Sequence, residues 1–324
     1  MRAHAMRTLA PALLCLFASA CGGDFSNDDL EFLNALPQRE DLAARLPSSK
    51  AVTGNGIETR KDALGLQLLG DLSELAGDTF KQGTQFNQSV DALLTLLEAI
   101  RSRQPTLREA HRRVWGPFAD KDRRGNDVRF VMEREGDAFT YALQYRPSGA
   151  GDDQWWTFLP GRFQANGGIR KGEGSVSLDL KEARAHGFLL RDMALLDRLD
   201  IGYQTKALPT RVELAFTAVG RTQPGTRYAY RSVPNGPGEM VFRLVDTDLV
   251  PGGLRETLDL TSRWAPDGRG MVSVDIVEGD AKGAKYTECW DIGAHTTFIH
   301  RNWDWFNPPE GDPKSCPDFS ELNP

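Results

Sequence analysis

Val128-Arg129-Phe130-Val131-Met132, the turn Glu135-Gly136-Asp137 and then Phe139-Thr140-Tyr141-Ala142-Leu143-Gln144-Tyr145 decide the fold. Apolar and polar side chains alternate on both sides of a glycine-centred turn, as expected of strands with one buried face. A link this short joins antiparallel neighbours, because parallel ones need a crossover of a dozen residues or more. Working outward, the same alternation recurs at Val212 to Phe216, Tyr228 to Tyr230, Met240 to Leu244 and Met271 to Ile276. Turn signals at Pro234-Asn235-Gly236, Pro266-Asp267-Gly268 and Glu278-Gly279-Asp280 separate these runs. The spacing predicts about eleven or twelve strands within 106–324. A short helix near 182–198, carrying Leu189, Leu190, Met193 and Leu196, is expected to interrupt them.

Upstream the period changes. Within 61–105, Leu64, Leu68, Leu72 and Leu75 recur at helical spacing, as do Phe86, Val90, Leu93 or Leu94, Leu97 and Ile100. Gly77 and Gly83 leave open whether this is two helices or one bent helix, and Pro105 helps to end it. The expectation is an α+β fold: N-terminal helices covering a large, curved, half-barrel-like antiparallel sheet. Residues 21–60 read as a flexible tether with short helical pieces, broken by Pro37 and Pro47. Packing against the body is expected for its Leu30, Phe32, Leu33, Leu36, Leu42 and Leu46.

The chain has 324 residues, with 39 Lys plus Arg against 45 Asp plus Glu and only 5 His. These are globular proportions, and the acidic balance argues against nucleic acid, whose backbone needs a clustered positive surface. Residues 1–20 have the pattern of a secretion signal: Arg2 and Arg7, an apolar run from Thr8, and small residues at its end. The run is too short to span a bilayer. Ala18-Ser19-Ala20-Cys21-Gly22 resembles the lipobox of bacterial lipoproteins. That resemblance implies cleavage before Cys21 and acylation of the new terminus, with several chains giving a durable anchor. Gly22 is similar to the residue that accompanies outer-membrane rather than inner-membrane sorting. The alternative is an ordinary signal cleaved after Ala20, leaving Cys21 free.

A helix-plus-meander body behind a lipobox looks like the Lol-type half-barrel carriers and the mycobacterial-type lipid-binding lipoproteins, in architecture alone. Asn87-Gln88-Ser89-Val90, Trp115-Gly116-Pro117 and Glu288-Cys289-Trp290-Asp291 resemble stretches of uncharacterised Gram-negative lipoproteins. None of these likenesses implies an activity.

Cys289 and Cys316 are expected to form a disulfide that staples the C-terminal tail, against independent thiols or a metal site, since their spacing lacks the paired zinc pattern. No Gly-x-Ser-x-Gly, His-Glu-x-x-His, P-loop or dinucleotide fingerprint occurs. Asp291 and His295 share one side of an extended strand, but two ligands make a weak metal site. Asp120 to Asp127 superficially resembles a calcium loop, but has Arg124 and Val131 where oxygen ligands are needed. Neither a metal nor another cofactor is expected.

The aromatic residues carry more information: Trp155, Trp156, Trp303 and Trp305 fall in two clusters, read either as core packing or as faces for a sugar or acyl chain. The leading expectation is a membrane-anchored, non-enzymatic periplasmic lipoprotein. It would hold an acyl chain or another apolar ligand in a helix-covered cavity lined by Phe86, Val90, Leu94 and Leu97. The alternatives are a carbohydrate-, peptidoglycan- or partner-binding lipoprotein, or an enzyme whose site is assembled from distant residues.

Overall fold

The computed structural model describes residues 25–46, 67–188, 193–247, 249 and 252–323. The expected signal segment, Cys21, Leu64, Leu189 and Leu190 lie outside them. One sheet of 15 strands dominates, each strand antiparallel to the next and paired in sequence order. The first half comprises β1 (Leu107–Glu109), β2 (Arg112–Ala119), β3 (Asn126–Glu135), β4 (Ala138–Pro147), β5 (Trp156–Ala165), β6 (Gly172–Asp179), β7 (Leu196–Gln204) and β8 (Thr210–Ala218). The second comprises β9 (Thr226–Ser232), β10 (Gly238–Thr247), β11 (Glu256–Trp264), β12 (Gly270–Glu278), β13 (Lys285–Trp290), β14 (Thr296–Arg301) and β15 (Glu310–Gly311). The terminal strands β1 and β15 do not pair with each other, so the sheet is open.

Strict up-and-down order divides the connections between two rims. The first rim carries the turns at 110–111, 136–137, 166–171, 205–209, 233–237, 265–269 and 291–295. The second carries those at 120–125, 148–155, 219–225, 279–284 and 302–309. This division is the frame on which the functional surfaces sit.

The strand count exceeds the expected eleven or twelve for two physical reasons. Strands β1 and β15 are three and two residues long, too short to display an alternation. Others carry glycine where a core side chain is anticipated, because a cross-strand ring supplies the cover. Gly161 lies beneath Tyr141 and Gly174 beneath Tyr203, and a methyl group on either would fall 2.0 Å and 2.4 Å from the ring. Gly238 and Gly270 stand in the same relation to Trp264 and Trp290. Elsewhere the parity holds: Phe139, Tyr141, Leu143 and Tyr145 are all buried along β4.

Among the described residues the α-helices are α1 (Asn27–Asn34), α2 (Arg39–Leu42), α3 (Glu74–Arg101) and α4 (Leu180–Ala185). The helix expected over 61–105 is shorter among the described residues, and Gly77 and Gly83 do not divide it. Leu68 and Leu72 are 59% and 53% exposed, off any helical face. Gly70 takes a φ of 85°, and the chain from 70 to 73 pairs with the 294–296 backbone instead. Ser73 then caps α3 by accepting from the Ala76 amide. The α3 seam is Leu75, Thr79, Phe86, Val90, Leu93 and Leu97, while Leu94 sits half-buried at its margin. The interruption near 182–198 is also corrected: α4 ends at Ala185, and Leu196 opens β7, where the alternation of Leu199 and Ile201 continues into a strand.

Helix α3 touches widely separated strands. Thr79 Oγ1 shares a hydrogen bond of 2.7 Å with Ser262 on β11, and Tyr228 on β9 donates to Gln82 at 3.0 Å. The Phe86 ring packs 6.0 Å from that of Tyr230, and Trp115 on β2 donates to the Arg103 carbonyl just past the helix end. Helices α1 and α2 attach at the first rim. Phe32 packs edge-on to Phe139, Glu31 pairs with Arg134, and Arg170 in the 166–171 turn holds Asp41 at 2.8 Å. Phe32, Leu33, Leu36 and Leu42 are buried in the same core as the sheet's inner face. Leu30 does not meet the expectation of packing and is exposed.

Candidate functional site

The four tryptophans singled out by sequence occupy distinct environments. Trp156, at the start of β5, is buried among Tyr145, Phe158 and Phe188, with His186 stacked at 4.4 Å. Trp155 is half-buried, with the Arg129 and Arg146 guanidiniums 4.2 Å and 4.4 Å from its ring centre. Its indole N–H donates to Asp152. Trp156 is committed to the core, and Trp155 is engaged by two guanidiniums.

The second cluster is open. Trp303 is 39% exposed and stacks at 6.4 Å on Tyr286. Trp305 and Phe306 are 89% and 93% exposed, with ring centres 6.5 Å apart and planes inclined by 40°. All three stand on the β14–β15 connection at the second rim.

Its base is braced. Asn302 Oδ1 accepts from the Lys285 amide at 2.7 Å, and Arg301 pairs with Glu310 across the loop at 2.5 Å. The disulfide joins Cys289 on β13 to Cys316, with an S–S distance of 2.07 Å. Beyond it Phe319 and Leu322 are buried, and Arg231 on β9 donates to the Leu322 carbonyl. The tail is stapled, as the cysteine spacing suggested.

The side chains expected to line a ligand cavity sit inside. Phe86, Val90 and Leu97 are buried in the common core, together with Leu93, which the sequence grouped with Leu94. Leu94 instead faces an open groove of about 500 Å³ between α2 and α3, whose walls include Arg39, Asp91, Glu98 and Arg101. A second groove, of about 380 Å³, lies on the first rim against Phe139 and Phe163, with Arg134 and Arg170 at its edges.

Asp29, Glu239, Glu256 and Glu288 are buried carboxyls among the described residues, and two of them differ sharply in their surroundings. Glu288 is 1% exposed and shares the inward face of β13 with Tyr286 and Trp290. Tyr286 and Thr296 donate to its two oxygens at 2.7 Å and 3.0 Å. Burial pushes its pKa up, while hydrogen bonds from Ser73, Tyr286 and Thr296 and the charge of Arg301 only partly oppose the shift. Its inward parity, between Tyr286 and Trp290, was the available signal.

Asp29 lies in α1 and accepts from Arg113 at 2.7 Å and Arg108 at 2.9 Å. Burial raises its pKa, but those bonds and the Ser26 contacts outweigh it and hold the carboxyl down to about 2.

Among the described residues no group of three or more His, Cys, Asp and Glu could hold a metal ion. Asp291 accepts from the Gly293 and His295 amides, shaping a turn. Asp120 does the same for Asp122 and Arg123 before β3. No helix among the described residues is long and apolar enough to cross a membrane. No family model, curated protein or solved structure matches this chain.

Proposed function

We propose that this chain is a lipid-anchored, non-catalytic binding protein of the cell envelope, held through Cys21 to the outer rather than the inner membrane. Helix α3 covers the hollow of a half-barrel-like sheet and fills it with Phe86, Val90, Leu93 and Leu97, so the partner is met on the outside. The observation that carries this reading is the position of α1. It packs at the first rim, and only four residues lead from Cys21 to Phe25, a reach of roughly 14 Å at full extension. An acylated Cys21 would therefore hold that rim close to the bilayer. The non-catalytic part is supported by Glu288, whose raised carboxyl is enclosed and out of reach of a substrate.

The test is intact mass and membrane fractionation of the wild type beside Cys21→Ser. Acylated mass with outer-membrane recovery, both lost in the variant, is the expected result. A wild-type protein that is cleaved after Ala20 and remains free in the periplasm overturns it.

A second reading, an acyl chain or other apolar ligand held by the body, is favoured by the groove against Phe139 and Phe163. Its volume of about 380 Å³ falls in the usual range for small-molecule sites. Native mass spectrometry after gentle extraction decides it: a lipid that co-purifies and is lost in Phe163→Asp supports carriage, and its absence removes the reading.

A further inference from the structure

We infer that the Trp303–Asn307 loop is a saccharide-binding site, with Trp305 and Phe306 as the stacking faces and Asp304 and Asn307 as the hydrogen-bonding partners. Three observations converge on this loop. The first is exposure. Two adjacent rings stand almost fully in water, at a transfer cost that a merely structural loop would avoid. The apolar C–H face of a sugar ring matches such a surface, and two inclined rings can each take one residue of a chain.

The second observation is the polar flank. Asn307 donates through Nδ2 to both Asp304 oxygens at 3.1 Å, which fixes the carboxylate and amide beside the rings. The remaining lone pairs on Asp304 and the Asn307 carbonyl oxygen can accept from sugar hydroxyls or amino groups. Directional acceptors next to stacking faces are the chemistry of a site that is apolar on one side and wet on the other.

The third is charge. From 302 to 312 the sequence holds Asp304, Glu310 and Asp312 and no basic residue. Arg301, just before it, is committed to Glu310 and to the Gln67 carbonyl. An anionic phospholipid surface or a nucleic acid would be repelled here. An uncharged saccharide is not, and one bearing amino groups is attracted. The bracing by Cys289–Cys316, Asn302 and the Trp303–Tyr286 stack holds the base of the loop in place before binding, which lowers the backbone ordering that opposes association.

The inference deepens the binding role proposed above, and rests on the envelope placement only for which saccharides the loop would meet. Full-length Cys21→Ser protein, which needs no detergent, is titrated with tetramers of N-acetylglucosamine and of glucosamine while tryptophan emission is followed. Saturable binding is expected, weakened at least tenfold in Trp305→Ala and in Phe306→Ala and largely kept in Trp305→Phe. Trp155→Ala should bind as the parent does. The substituted loop rings are exposed, so circular dichroism and thermal unfolding should not change, which separates lost binding from lost fold.

Vesicles of phosphatidylethanolamine with phosphatidylglycerol form the second arm. No saturable response to either tetramer, undiminished binding in Trp305→Ala, or a Trp305-dependent response to vesicles alone each overturns the saccharide assignment. Sugar binding that persists in a protein shown never to be acylated would overturn only the anchoring.

Discussion

Asp29 and Glu288 are both buried carboxyls, and their neighbours drive them in opposite directions. Asp29 meets two guanidiniums and a capping serine, so its folded pKa of about 2 lies below the ordinary 3.8. Its stabilising contribution is complete above about 4 and is lost as pH falls through about 2, roughly 2 kcal/mol in all. Asp29→Asn also strands the buried Arg113, so a loss of about 3 kcal/mol is expected near neutrality, shrinking toward pH 2, in urea unfolding followed across pH.

Glu288 has the reverse sign. Its folded pKa lies above the ordinary 4.5, so the fold carries no penalty below that value and an increasing one as pH rises toward the folded pKa. Glu288→Gln should therefore gain on the wild type as pH is raised from about 4.5, and a difference that stays flat with pH would show the carboxyl to be ionised throughout. Ser26-x-x-Asp29 has the spacing of a capping box, but by sequence the stretch read only as part of the flexible tether. The partners Arg108 and Arg113 were not legible, because nothing local announces which strand a helix will meet.

At the scale of elements, α3 shows what periodicity can and cannot deliver. The seam from Phe86 to Leu97 was readable, since apolar spacing alone defines it. The start was not: Leu68 and Leu72 fit the helical period, yet the backbone from Gly70 to Ser73 is captured by the 294–296 segment, a contact more than 200 positions away in sequence. Gly83 looked like a weak point and is a contact. A methyl group there would fall 2.4 Å from Leu46 Cδ2, in the extended segment that α3 presses against the sheet. That segment is held from both sides. Asn87 exchanges hydrogen bonds with the Ala44 backbone, while Tyr230 accepts from Arg45 N–H and Trp264 donates to its carbonyl.

Gly83→Ala improves helix propensity by about 1 kcal/mol, but it must displace the Leu46 isobutyl group. The expected net effect is a destabilisation of about 1 to 2 kcal/mol by overpacking. Adding Leu46→Ala should recover part of the Gly83→Ala loss, and the double-mutant cycle measures that coupling. Additive losses would mean that the two residues do not touch.

For the whole molecule, the meander was legible from alternation and turns, whereas its extent was not, because β1 and β15 are too short to alternate and Gly161, beneath the Tyr141 ring, blurs the pattern of β5. The exposed Trp305–Phe306 pair was readable only as an aromatic cluster: sequence does not distinguish a ring that stacks inside, as Trp156 does, from one that stands in water. The C-terminal staple closes a loop of 27 positions, worth roughly 3 to 4 kcal/mol in the chain-entropy model. Cys316→Ser should lose about that much in urea unfolding, and the reduced wild type should match it. A smaller loss would mean that Phe319 and Leu322 hold the tail without the bridge.

The two rims lead to a prediction about orientation. The long strands run from one rim to the other, and β4, with ten residues, sets the separation at about 30 Å. The α1 attachment and Ile169 belong to the first rim, Trp305 to the second. An anchor on Cys21 reaches only the first, so the acylated protein should keep Trp305 away from the bilayer and turn it toward the opposite side of its compartment. Reconstitution into vesicles with brominated acyl chains tests this directly. The emission that distinguishes wild type from Trp305→Phe should be unquenched, whereas Ile169→Trp placed in the Trp305→Phe background should be quenched measurably. Quenching of Trp305 but not of residue 169 would invert the molecule and make the aromatic loop a bilayer contact. Quenching of both would mean that the sheet lies flat on the surface, with neither rim free to reach a partner.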